Sequence, residues 1–167
     1  GKKMTIASIQ IGPLTIGPEH PPVIIAECGI NWCSLGNTTH KGDMSRAFAM
    51  IRAAKLAGAH IVKFQTHITD AEMLPTGPSA GYIGGSFHNL IKASFHNLIK
   101  ACELSLTDTL SLIDCAKGHN IVFMSTPFSR EAADMLDELG VPAFKTGSGE
   151  LTNIPLLRHI ARKGKPM

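Results

Sequence analysis

The sequence predicts an α/β fold built on a parallel sheet. Three observations carry that prediction. Four short apolar runs alternate with four segments of helical periodicity, the pattern of repeated β-α units. Three of those runs end in a charge: Val23-Ile24-Ile25-Ala26 in Glu27, His60-Ile61-Val62 in Lys63, and Val141-Pro142-Ala143-Phe144 in Lys145. Burying an unpaired charge is costly. Three charges at strand ends therefore point to a shared site at the C-terminal edge of the sheet, where parallel β/α folds assemble their chemistry. Right-handed crossovers leave an open sheet or a barrel, and periodicity alone does not separate the two.

The elements follow in order. Residues 4–16 alternate apolar and polar around Gly12-Pro13, which predicts a hairpin. Pro18 to Pro22 forms a connector, so residues 1–22 stand apart from the β/α units of 23–167. Strand one is Val23–Cys28. Helix one runs from Asp43, a plausible N-cap, to Gly58, with Met44, Ala47, Phe48, Ile51, Ala54 and Lys55 at helical spacing. Strand two is His60–Gln65. Helix two is Ser105–Gly118, with Leu106, Leu110, Ile113 and Ala116 in register. Strand three is Ile121–Ser125, helix three Ser129–Leu139, strand four Pro142–Lys145, and helix four Pro155–Arg162 with Asn153 near its cap.

Composition narrows the function. The 167 residues suit one domain, and a hydrophobic content of 44% is enough for a core. A net charge of +3 is too mild for a nucleic-acid binder and modestly favours small anions. No segment has the apolar length of a membrane span, and the first residues lack a signal-peptide pattern. The cysteines Cys28, Cys33, Cys102 and Cys115 form no C-x-x-C pair, which predicts buried thiols in a reducing, cytoplasmic setting and no zinc site. The eight histidines form no helical pair of metal-ligand spacing, although His67 falls close to the predicted site.

The connection from Thr66 to Glu103 is long and contains a perfect tandem repeat. Ser86-Phe87-His88-Asn89-Leu90-Ile91-Lys92-Ala93 is followed by Ser94-Phe95-His96-Asn97-Leu98-Ile99-Lys100-Ala101. On one helix the two copies would lie about 80° out of phase, so both cannot easily dock on one narrow face. An extended lid is one reading. A local duplication tolerated in a surface loop is the plainer one.

Strand residues alternate faces. Val23, Ile25 and Glu27 share one; so do Ile61, Lys63 and Gln65, and so do Ala143 and Lys145. A consistent arrangement aims Glu27, Lys63 and Lys145 at a common centre, with their neighbours packed under the helices. Two converging lysines would hold a phosphate or carboxylate, and Glu27 could exchange a proton. Thr126 adds a hydroxyl. In Thr146-Gly147-Ser148-Gly149-Glu150 the glycines permit close backbone approach and free N–H groups can bind anions. Taken singly, each has a structural role: a strand-end lysine is usually solvated, Glu27 can pair with Lys63, and Gly-Ser-Gly can be a turn.

At these residues the chain resembles the N-acetylneuraminate (sialic acid) synthase family, with its relatives making legionaminic and pseudaminic acids. The matching stretches are Ile24-Ile25-Ala26-Glu27-Cys28-Gly29-Ile30-Asn31, Val62-Lys63-Phe64-Gln65-Thr66-His67-Ile68, Ser125-Thr126-Pro127-Phe128-Ser129-Arg130, Phe144-Lys145-Thr146-Gly147-Ser148-Gly149-Glu150, and Asn153 to Met167. The resemblance implies a (β/α)8 TIM barrel, of which this chain would hold about the first four units plus the hairpin. It implies condensation of phosphoenolpyruvate with an N-acetylated hexosamine such as N-acetylmannosamine, with release of phosphate. By that resemblance Lys63, Thr126, Lys145 and Ser148 bind phosphoenolpyruvate, Glu27 is the acid/base, and Gln65 and Glu150 line the site. A divalent metal, manganese or magnesium, would act as Lewis acid on the sugar carbonyl, with its ligands outside this chain. The full-length enzyme would be a homodimer whose C-terminal domain completes the partner's sugar site. Two departures stand out. Trp32 through Thr39 separate Ile30-Asn31 from His40-Lys41-Gly42-Asp43, as if an insertion had displaced the family histidine, and the tandem repeat is a second insertion-like feature. The remaining alternatives are a Schiff-base aldolase using Lys63 or Lys145, and a non-catalytic half-barrel with an open sheet edge and an uncovered apolar face.

Overall fold

A computed structural model of the chain describes residues 7–33, 44–75 and 95–167. The expected hairpin is present. Strand β1 (Ile9–Ile11) pairs antiparallel with β2 (Leu14–Ile16) in the register Ile9↔Ile16, Gln10↔Thr15, Ile11↔Leu14. Gly12, with φ of 57°, supplies the left-handed turn position that a two-residue hairpin loop needs.

Three strands then form a parallel sheet in the order β3 (Ile25–Gly29), β4 (Ile61–Thr66), β5 (Val122–Pro127). The helices are α1 (Met44–Leu56), the one-turn α2 (Thr69–Glu72), α3 (Phe95–Ala101), α4 (Leu106–Gly118), α5 (Arg130–Glu138) and α6 (Ile154–Ala161). Their starts are chemically marked. Ser105 and Asp108 make a reciprocal capping box on α4. The Ser129 hydroxyl accepts from the Ala132 N–H on α5, and Asn153 Oδ1 accepts from the Leu156 N–H on α6. The Asp43 cap expected for α1 lies outside the described residues.

The sheet has two apolar faces, as strand alternation predicts. On one, Val62, Phe64 and Phe123 pack under the helices with Ala47, Ile51, Leu112, Ala116, Leu136 and Ile160. On the other, Ile61, Met124 and Ala143 pack with Ile11, and Leu14 and Ile16 close over them. The hairpin therefore covers the lower part of the second face. Glu27, Lys63 and Gln65 lie further along the same face, toward the strand C-termini.

Three expectations need correction. Strand four is a single parallel bridge, Ser125↔Phe144, and not a strand over 142–145. The Lys145 N–H reaches Ser125 O only at the long distance of 3.5 Å, while the Phe144 N–H, which faces the other way in this register, goes to Pro166 O at 2.9 Å. On α4 the buried positions are Thr109, Leu112, Ile113 and Ala116, whereas Leu106 and Leu110 are exposed. The apolar stripe is rotated from the one the leucines suggested, because α4 rests on both α1 and β5. The tandem repeat is not a surface duplication throughout. Its first copy lies outside the described residues, but the second forms α3 and buries Leu98 and Ile99, with Phe95 half-buried. Spacing of three and four residues puts these side chains on one helical face.

Candidate active site at the strand C-termini

Glu27 and Lys63 are register partners on neighbouring parallel strands, so both project to the same face. Lys63 Nζ donates directly to Glu27 Oε2. The two carry unequal burial: the Lys63 side chain is 7% exposed and that of Glu27 53%. An ammonium held this deep needs a partner, and Glu27 provides it while leaving its other oxygen open to the mouth. The strand register shifts between Glu27 and Gly29. Gly29 takes a φ of 52° there, a left-handed turn in which a side chain would be strained. A Cβ on Gly29 would stand 3.5 Å from Glu27 Oε1 and 3.6 Å from Gln65 Nε2, so the carboxylate and the amide flank one point. Cys28 points the other way into the helix-side core. Burial first, then the adjacent Glu27 carboxylate, push its thiol up to about 11, with Lys63 opposing.

The next row continues the site. Gln65 is the register partner of Thr126, which is buried. The Ser125↔Phe144 bridge sets Lys145 beside Thr126, and the Lys145 N–H reaches Ser125 O at 3.5 Å. Lys145 thus sits two strands across and one row up from Lys63. Standard sheet spacings put their Cα atoms about 12 Å apart. Two four-carbon stems can bring their ammonium groups onto one small dianion from that separation. Lys145 is half-buried and lines a cavity of about 270 Å³ with Met124, Ala143 and Thr146.

Ser148 and Glu150 belong to a one-turn 3-10 helix, Ser148–Glu150, immediately after Lys145. Ser148 is exposed. Glu150 Oε2 accepts from Asn153 Nδ2 at 2.6 Å, and Glu150 lines a polar cavity of about 340 Å³ with Glu72, Arg130 and Asn153. The structure therefore brings Glu27, Lys63 and Gln65 into one contiguous group, with Thr126 and Lys145 beside them on the same face. It engages Glu150 with the start of α6 and not with the lysines. A cavity of about 740 Å³ lies at the opposite ends of the strands, between Pro13, Lys55, His60, Asn120 and Pro142. None of the candidate residues lines it.

Sequence reasoning placed His67 near the site but passed over Glu72 and gave Phe128 no role. His67 is buried, stacks on Phe128, and lies between Glu72 and Gln65. The available signal was an acidic residue five positions after a histidine at a strand end. His40 lies outside the described residues. Among the described residues no three His, Cys, Asp or Glu side chains come together to hold a metal ion.

Comparison with known proteins identifies the family of the chain. The NeuB family model matches residues 50–167. The N,N'-diacetyllegionaminic acid synthase of Legionella pneumophila is 39% identical over 150 residues, covering 86% of this chain and 38% of the relative. The spore coat polysaccharide biosynthesis protein SpsE of Bacillus subtilis is 35% identical over 166 residues, covering 97% of this chain and 40% of that protein. The crystal structure of N-acetylneuraminic acid synthetase from Leptospira borgpetersenii, in complex with citrate, superposes with a TM-score of 0.72 at 31% identity, over 95% of this chain and 47% of that one. The chain thus spans about 40% of the length of the curated relatives it matches. Its parallel sheet and N-terminal hairpin are those of a TIM-barrel type fold. With the family model matched over most of its length, the chain belongs to the NeuB family.

Proposed function

We propose that this chain carries the phosphoenolpyruvate-binding half of a synthase that condenses phosphoenolpyruvate with an N-acetylated hexosamine, such as N-acetylmannosamine, to a nonulosonic acid and phosphate. The observation that carries this reading is the Glu27–Lys63 pair on one row of a parallel sheet, with Gln65, Thr126 and Lys145 on the row above. Lys63 and Lys145 take the carboxylate and phosphate of the enolpyruvate, helped by the hydroxyls of Thr126 and Ser148. Gln65 and Glu150 line the site. When the dianion arrives, Lys63 turns part of its charge from Glu27 to the ligand, and Glu27 is released to move a proton. Condensation joins the methylene carbon of the enol to the aldehyde carbon of the open-chain sugar, and water supplies the new keto oxygen as phosphate leaves. A divalent metal, manganese or magnesium, would be held by ligands outside this chain and would supply Lewis-acid polarisation of the sugar carbonyl. A homodimer is the expected assembly of the full-length enzyme.

A calorimetric titration of the chain with phosphoenolpyruvate tests the binding half of this reading. Saturable binding is expected, weakened about 10- to 100-fold in Lys63→Ala, the worth of one charge-assisted hydrogen bond. Phosphate release that requires phosphoenolpyruvate, N-acetylmannosamine and manganese together tests the reaction. A folded chain that ignores phosphoenolpyruvate sinks the proposal. A borohydride-trapped adduct on Lys63 or Lys145 would favour the aldolase instead.

A further inference from the structure

Asn153 stands between the Ser148–Glu150 turn and α6 and bonds to both. Its backbone N–H donates to Glu150 O at 2.9 Å. Its Oδ1 accepts from the Leu156 N–H at 3.2 Å and so caps α6. Its Nδ2 donates to Glu150 Oε2 at 2.6 Å. Glu150 lines the polar cavity of about 340 Å³ together with Asn153, Arg130 and Glu72. The stem of Glu150 is placed as well. Its backbone N–H donates to Gly147 O at 3.0 Å, and a Cβ on Gly147 would meet Glu150 Cγ at 3.7 Å, an ordinary packing distance.

Donor chemistry fixes which way this amide faces. A backbone N–H only donates, so the Asn153 atom that meets Leu156 is the carbonyl oxygen. The amide nitrogen then points at Glu150, whose carboxylate oxygens accept. A flipped amide would lose both bonds together, setting donor against donor at α6 and acceptor against acceptor at Glu150. The bond to Glu150 lies at the surface, where water competes for it. A freely rotating side chain would gain little there. Here the cap already fixes the Asn153 side chain, and the bond from the Asn153 N–H to Glu150 O fixes the two backbones, so little further freedom is lost. Oε2 is committed to Asn153, and Oε1 is not.

We propose that Asn153 is a positioning residue as well as a helix cap: its amide holds the Glu150 carboxylate in the polar cavity and leaves Oε1 as the acceptor for a ligand. The clamp stands on the geometry alone. Its consequence for binding rests on the reading of Glu150 as lining the substrate site. A carboxylate repels the anionic groups of phosphoenolpyruvate and suits the hydroxyl and N–H donors of a neutral hexosamine. The hexosamine is therefore the substrate whose binding the clamp serves.

Substitution separates the two roles. Aspartate caps a helix as well as asparagine and glycine nearly as well, whereas alanine does not. Asn153→Asp and Asn153→Gly are therefore expected to keep urea midpoints near the wild type, and Asn153→Ala to lower its midpoint. Neither aspartate nor glycine offers Glu150 a side-chain donor. The carboxyl 13C resonance of Glu150, assigned by its loss in Glu150→Gln, is expected to move in both variants. An unmoved resonance in folded Asn153→Gly overturns the proposal. In phosphate release, the KM for N-acetylmannosamine is expected to rise about tenfold in Asn153→Asp and Asn153→Gly, the lower end for a hydrogen bond to a charged group, with kcat changed less. A cap alone predicts the opposite order, with Asn153→Ala impaired and the other two unaffected, and that result overturns the positioning role. A wild type that releases no phosphate with both substrates and manganese overturns the proposed function instead, and the Glu150 resonance still decides whether Asn153 holds it.

Discussion

Gly147→Ala tests whether the stacked wall behind the site is as tightly packed as the structure places it. A Cβ on Gly147 would stand 2.9 Å from Phe128 Cε1 and 3.4 Å from Cζ. Carbon atoms in contact prefer at least 3.5 Å, so the ring must retreat by about 0.6 Å. It has nowhere simple to go. Its other face lies on His67, and His67 is held by Glu72 and Gln65. Overpacking of this kind costs about 1–3 kcal/mol. The backbone itself accepts alanine, since Gly147 has φ of −66° and ψ of 148°. Restricting the unfolded chain returns about 0.4–1 kcal/mol. The central expectation is a loss of about 1.3 kcal/mol, or roughly 3–5 °C in Tm for a chain of this size. Gly149 is the matched control: it is two residues away, and a Cβ there would meet nothing within 4 Å. Urea unfolding at constant m-value should place Gly147→Ala below the wild type and Gly149→Ala at or above it. If Gly147→Ala proves as stable as Gly149→Ala, the Phe128–His67 wall has slack and the tight packing at Gly147 is refuted.

Removing the α5 cap with Ser129→Ala should cost about 1 kcal/mol, because the Ala132 N–H loses its acceptor in a buried setting; an unchanged urea midpoint would refute this. Acid should weaken the chain through the cluster on α5 and α6. The hydrogen bonds from Lys163 and then His159 hold the Asp134 carboxyl below its usual range, and Lys165 does the same for Asp137. A depressed folded-state pKa contributes stability that is present above the unfolded value of about 4 and is lost as pH falls through the folded one. Lys163 is shifted upward by the same pair, so its share is present below about pH 10 and lost as pH rises through its folded value. Both carboxylates are partly exposed, which keeps each contribution under about 1 kcal/mol. Asp134→Asn should therefore lower stability at pH 7 and approach the wild type at pH 3. A gap that persists undiminished at pH 3 would show that Asp134 acts by packing and not by charge.

The elements most legible from sequence were those with local causes. Ser105, Ser129 and Asn153 mark helix starts because their side chains bond to backbone donors two or three residues away. The face shared by Glu27, Lys63 and Gln65 follows from strand alternation, which neighbouring strands do not alter. Strand four and the buried stripe of α4 were misjudged because both depend on neighbours. The chain past Phe144 meets β5 through a 3.5 Å bond from the Lys145 N–H, too long to carry a ladder, and α4 turns the side that fits α1 and β5 inward, leaving Leu106 and Leu110 outside. The second repeat copy reads as loop material until a core is there to receive Leu98 and Ile99.

The order of residues along this chain was enough to determine which side chains stand at the strand ends and which face they share, since a pleated strand has a period of two whatever surrounds it. Tertiary structure alone decided their partners. Strand register set Lys63 against Glu27, the bridge at Phe144 brought Lys145 beside Thr126, and the turn into α2 carried Glu72 back onto His67. Register and loop path are set by the packing of the whole chain, so charge pairing and hydrogen-bond direction at the mouth emerge only when the sheet has closed around them.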